Sequence, residues 1–110
     1  MTYSNELVQS AGNRIAISFD MDEVEVTTPD AALEAIREAL SRRITEMLRT
    51  NPEKLMSILY RIDVREDMVN TILNTAFPTE VPLLLANLII ERQLEKARTR
   101  ELLRNSDTDQ

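Results

Sequence analysis

Apolar side chains return along this chain with two different periods. From Leu33 onward they recur every three or four residues. Between Ile15 and Val26 they alternate with polar ones. The first period marks one face of a helix and the second one face of a strand. In RIAISF, Ile15, Ile17 and Phe19 fall on one face of an extended segment. In EVEVT, Val24 and Val26 do the same, and the acidic DMDE between the two reads as a turn. The pattern predicts a small N-terminal β-hairpin. A two-stranded hairpin is marginal alone in water, so it would lie on the helices or pair with a second copy. Residues 1–13 show no period and are expected to form a flexible N-terminus.

Helix starts are written in local chemistry. Thr28-Pro29-Asp30 supplies an N-cap hydroxyl, a proline at the first helical position and an acid in the first turn. Asn51-Pro52-Glu53 repeats that arrangement, and Thr79 stands before Glu80 and Pro82. The expected helices span 29–49, 52–62, 64–76 and 80–104. Residues 105–110 are expected to be a disordered tail. Leu33, Ile36, Leu40, Ile44, Met47 and Leu48 share one face of the first of these helices. Its outer face offers the pairs Glu34–Arg37, Glu38–Arg42 and Arg42–Glu46, each worth roughly 0.2–0.5 kcal/mol at most.

The segment LYRIDVREDMV, residues 59–69, holds five charges among eleven residues. It separates two apolar faces: Leu55, Ile58, Leu59 and Ile62 before it, and Met68, Val69, Ile72, Leu73 and Ala76 after it. It reads as the joint between two helices. Asp63 is expected to cap the second helix, with Glu66 three residues on reaching back to its N–H. Arg61 falls in the last turn of the first helix, where a cation suits the dipole. The rival reading is one continuous helix. Positions 55, 59, 62, 66, 69, 73 and 76 keep a heptad register interrupted only by Glu66.

The last helix changes character midway. Leu83, Ala86, Ile90, Leu94 and Ala97 form one stripe, while Leu84, Leu85, Leu88 and Ile89 cover another side for about two turns. Covering both sides in so small a domain falls either to the other three helices and the hairpin or to another chain, and the second is expected. Leu84, Leu85, Leu88 and Ile89 are therefore the expected homo-oligomer interface.

A chain of 110 residues that is 43% hydrophobic and 29% charged suits one globular domain, here residues 14–104. One glycine and four prolines in the whole chain favour helix. The fold class expected is mainly α: a four-helix-bundle-like single domain with a small extended element before it.

Composition narrows the chemistry further. Cysteine and histidine are both absent, which removes disulfides, thiolate metal sites and the commonest general base. Asp20, Asp22, Glu23 and Glu25 could offer oxygens to a hard cation, but the pattern lacks the glycine and distal glutamate of a calcium-binding helix–loop–helix. No cofactor and no metal are expected. Arg61, Asp63, Arg65, Glu66 and Asp67 come with no glycine-rich phosphate loop, and Lys54 and Lys96 read as surface lysines. The chain is read as not an enzyme.

Net charge is −6, unevenly spread. Residues 1–30 carry six acids and one arginine, whereas 91–104 carry five bases and three acids. An acidic front and a basic rear can attract within or between chains. The helix after the joint is acidic where a DNA-reading helix needs bases, so nucleic acid is disfavoured as a partner. The alternative function is a small regulatory nucleic-acid binder using the basic end of the last helix. The start has no signal-peptide pattern, and the apolar run 83–90 is too short to span a bilayer. The expectation is a cytoplasmic, non-catalytic interaction or scaffold module that self-associates.

Overall fold

The computed structural model describes residues 3–23 and 28–108, and the side chains of 3–23 and 28–104. These residues form five α-helices: α1 Asn5–Phe19, α2 Pro29–Thr50, α3 Pro52–Arg61, α4 Glu66–Thr75 and α5 Val81–Thr108. The chain is mainly helical and folds into a compact globule. No strand occurs among the described residues.

The expected hairpin is therefore replaced by a fifth helix. Residues 15–19 close α1, and residues 5–13, read as patternless, form its first turns. Val24 and Val26 lie outside the described residues. The reason is physical. Val8, Ala11, Ile15 and Phe19 are buried at helical spacing, whereas Ile17, which completes the alternation, is 80% exposed. Ser4 caps the start, its hydroxyl accepting from the Leu7 N–H at 3.2 Å. Asp20 ends the helix in the left-handed conformation (φ 55°). The Asp20 and Met21 N–H groups both donate to the Ala16 carbonyl. Arg43 of α2 donates Nε–H to the Phe19 carbonyl at 2.9 Å, so a cation sits at the negative end of α1.

The proline-marked starts stand where the local chemistry puts them. Thr28 Oγ1 accepts from the Ala31 N–H and Asn51 Oδ1 from the Lys54 N–H, each at 3.2 Å. On α2, Ala32, Ile36, Leu40, Ile44 and Met47 are buried, with Leu33 and Leu48 packed at the edge of the core. Glu34 pairs with Arg37 at 2.7 Å, and Glu46 pairs with Arg43, one residue beyond the expected Arg42. Gly12 marks a close approach of α1 to α2. A Cβ there would stand 3.0 Å from Ile36 Cδ1.

The long helix α5 is the axis of the fold. Twenty-eight residues at about 1.5 Å each reach about 42 Å, most of the 48 Å length of the molecule. α1 and α2 pack along it, α3 packs on α2, and α4 rests on α5. α5 continues to Thr108, past the expected end at residue 104. The core joins Phe19, Ile15 and Val8 of α1 to Leu40 and Ile44 of α2, Leu55 and Ile58 of α3, and Leu85 and Ile89 of α5. No helix among the described residues is long and apolar enough to cross a membrane.

Candidate functional site

The charged segment 59–69 is a break between helices, and it works differently from a capping box. α3 stops at Arg61 and α4 starts at Glu66. Asp63 takes the left-handed conformation with φ 64°. The Val64 N–H reaches back to the Leu59 carbonyl and the Asp63 N–H to the Tyr60 carbonyl, both at 3.2 Å. This is the left-handed ending by which helices satisfy their last carbonyls. Its usual apolar clasp is present, since Leu59 and Val64 are both buried. The continuous-helix alternative is thereby replaced by two helices.

Asp63 thus terminates α3 and does not cap α4. The residue before α4 is Arg65, and no side chain caps that helix. The expected Asp63–Glu66 box fails because Asp63 is held on the other side of the joint. Arg92 of α5 donates Nη2–H to the Asp63 carboxylate at 2.8 Å and Nε–H to the Asp63 carbonyl at 3.0 Å. One turn later Lys96 donates to the Ile62 carbonyl at 2.6 Å. Two cations four residues apart thus cover the carbonyl end of α3.

The electrostatics follow from this geometry. The Arg92 hydrogen bond, then its charge, holds the Asp63 carboxyl below the usual value. Burial, then the Arg92 charge, lowers Lys96. Arg65 turns to Asp67 at 2.7 Å, and its hydrogen bond lowers that carboxyl as well. Among the five charges of the segment, Arg65, Asp67 and Asp63 are therefore committed to partners. Sequence reasoning missed the other half of the joint, Arg92 and Lys96. Their four-residue spacing opposite an unsatisfied helix end is the only trace of it in the chain.

The structure divides the four expected interface residues. Leu85 and Ile89 are fully buried in the core of one chain and are not available to a partner. Leu84 and Leu88 are half-buried. They precede Arg92 and Lys96 at four-residue steps, on the flank of α5 that turns toward the joint. Leu83, placed in the inner stripe by its spacing, is 46% exposed. The observed inner stripe is Val81, Leu85, Ala86, Ile89, Ile90, Gln93, Leu94 and Ala97. Gln93 is the buried polar residue on it.

α4 has the least cover of the five helices. Of its apolar face, Val69 alone is buried. Ile72 is half-buried, and Met68 and Leu73 stand exposed on the two rims. Phe77, just beyond its end, is 72% exposed. A cavity of about 230 Å³ opens beside Val69, lined by Met56, Leu59, Tyr60, Val64 and Glu66. Residues 68–79 carry no charge, and Glu80 is the only charged residue from 68 to 90. Among the described residues no three acidic, histidine or cysteine side chains are grouped as metal ligands.

Comparison with known proteins adds no relative: no protein-family model, no curated protein and no solved structure matches the chain.

Proposed function

We propose that this chain is a non-catalytic helical interaction module that self-associates through α4 and the first turns of α5. The observation that carries the reading is the thin cover of α4 (one buried residue beneath a broad apolar face) with Phe77, Leu84 and Leu88 adjoining it. Charge favours a second copy as the occupant. The chain carries −6 overall, so two copies repel across most of their surfaces. Glu66 and Asp67 occupy the first turn of α4, but residues 68–79 carry no charge, and a two-fold contact centred on them keeps like charges out of its middle. Interface cores are depleted in charged residues and enriched in methionine and aromatics, as this surface is.

The non-catalytic part of the reading rests on the residue inventory. Histidine and cysteine are lacking, and within the densest charge cluster Asp63 is engaged in holding the end of α3 to α5 while Arg65 and Asp67 pair with each other. The basic flank of α5 lends no support to the nucleic-acid alternative. Arg92 faces Asp63 and Glu95, and Lys96 faces a backbone carbonyl.

Light scattering on size-separated wild type and Leu88→Asp tests the proposal. A wild-type dimer and a folded monomeric variant are expected. A variant with unchanged mass and intact helicity would remove this flank of α5 from the interface.

A further inference from the structure

A wide cleft lies remote from α4. It runs between the first turns of α1 and the later turns of α5 and encloses about 870 Å³. Asn5, Gln9, Ser10 and Asn13 line it from α1, and Arg100 and Arg104 line it from α5. A second cleft of about 380 Å³ adjoins it, since Ser10 and Asn13 line both; Arg14 and Ser18 complete its polar lining. Arg100 and Arg14 therefore flank one shared pair of small polar side chains.

These two arginines differ from four others. Arg37, Arg43, Arg65 and Arg92 each have a carboxylate partner. Arg100 donates to the Ser10 hydroxyl at 3.2 Å, and neither Arg100 nor Arg14 has a carboxylate within ion-pair distance among the described residues. Burial, then the neighbouring Arg14 charge, lowers the Arg100 pKa, so the guanidinium is both partly desolvated and repelled. Among the described residues the Ser10 hydroxyl and the Asn13 amide hydrogens between them have no acceptor. Thr45, Thr50, Thr71, Thr75 and Thr99 each donate to the carbonyl one turn back, whereas the Ser10 hydroxyl makes no such bond. Asn13 accepts from Gln9 at 2.8 Å through Oδ1, which leaves its amide hydrogens as donors.

We propose that the surface where the two clefts meet at Ser10 and Asn13, flanked by Arg14 and Arg100, binds a phosphate group, either free or carried on a small molecule. Two guanidinium groups supply charge-assisted donors, and Ser10 and Asn13 supply neutral ones between them. A bound oxyanion relieves the repulsion of Arg14 and Arg100 in a chain that is otherwise acidic. The surroundings select a compact anion. Glu6 and Glu101 also line the larger cleft, and a long polyanion would meet them. The site is independent of the α4 surface, so either reading can fail without the other.

The test is a titration of the full chain, followed by backbone and arginine side-chain NMR. The probes are inorganic phosphate and glycerol phosphate, at physiological chloride. Saturable shifts confined to Ser10, Asn13, Arg14 and Arg100 are expected with at least one probe. Tighter binding of the first assigns free phosphate, and tighter binding of the second assigns a monoester. Arg14→Gln, at an exposed position that keeps the fold, is expected to weaken binding about tenfold. Arg42→Gln, on α2, is expected to leave it unchanged. No saturable shift with either probe, equal shifts at all arginines, or undiminished binding by Arg14→Gln would overturn the proposal. Tight binding of a short DNA duplex at the same residues would overturn the assignment of a compact anion.

Discussion

Replacing Leu85 with alanine separates core from interface on α5. Leu85 is fully buried within one chain. The substitution removes about three methylene equivalents at about 0.8 kcal/mol each, or about 2.4 kcal/mol of transfer energy. The cavity left behind adds to this, since helices pack around Leu85 on several sides, and the total falls at about 3–4 kcal/mol. A domain of this size holds about 5–15 kcal/mol in all, so the variant stays folded but is much weakened. At about 4 °C per kcal/mol, the melting temperature falls by on the order of 10–15 °C. Urea denaturation at several protein concentrations is the assay. The midpoint should fall at every concentration by a similar amount, because the loss lies within each chain. A cost below about 1 kcal/mol, with a change in molar mass, would place Leu85 at an interface and refute the packing described.

The joint predicts an order of stabilities. Asp63 holds a positive φ, which glycine adopts freely and a β-branched residue does not, so Asp63→Val should melt well below Asp63→Gly; equal melting would mean that the left-handed ending does not hold α3. Acid should loosen the same region. Asp63 and Asp67 titrate lower in the folded chain than the usual 3.8, so the unfolded chain takes up their protons first. Their contribution is complete above that value and is lost as pH falls through the folded-state pKa values; Asp63→Asn should flatten the acid limb of a stability–pH curve, and an unchanged slope would contradict the Arg92 pairing. Ser41 Oγ is buried without a hydrogen-bond partner among the described residues, so Ser41→Ala should be neutral or stabilise by up to about 1 kcal/mol in urea melts; a loss of that size would show that the hydroxyl is satisfied.

What the sequence disclosed follows the range of the interactions. The starts of α2 and α3 rest on contacts three residues apart, between Thr28 and Ala31 and between Asn51 and Lys54, and they were legible. The break near residue 63 was legible too, because a burst of charge splits two apolar faces. Its mechanism was not, because Arg92 and Lys96 lie 29 and 34 residues away from the groups they hold. α1 is obscured in the sequence because exposed Ile17 completes an alternation that competes with the stripe from Val8 to Phe19. The phase of α5 is ambiguous in the sequence because its first turns are apolar on nearly every side, so spacing alone favours Leu83 as much as Leu85. Of the candidate interface, Leu84 and Leu88 remain accessible and Leu85 and Ile89 do not. The exposed rims of α4 were hidden, since its apolar face looks complete until the thin packing on α5 is known.

The central claim is that the apolar surface of α4 and the first turns of α5 joins two copies. Sedimentation equilibrium of the full chain at low and high salt tests it most directly. A dimer whose mass is unchanged or strengthened by salt is predicted, since salt screens the repulsion of two acidic chains and leaves an apolar contact intact. A monomer of 12.6 kDa at all concentrations and salts, or a dimer that dissolves in high salt, would contradict it.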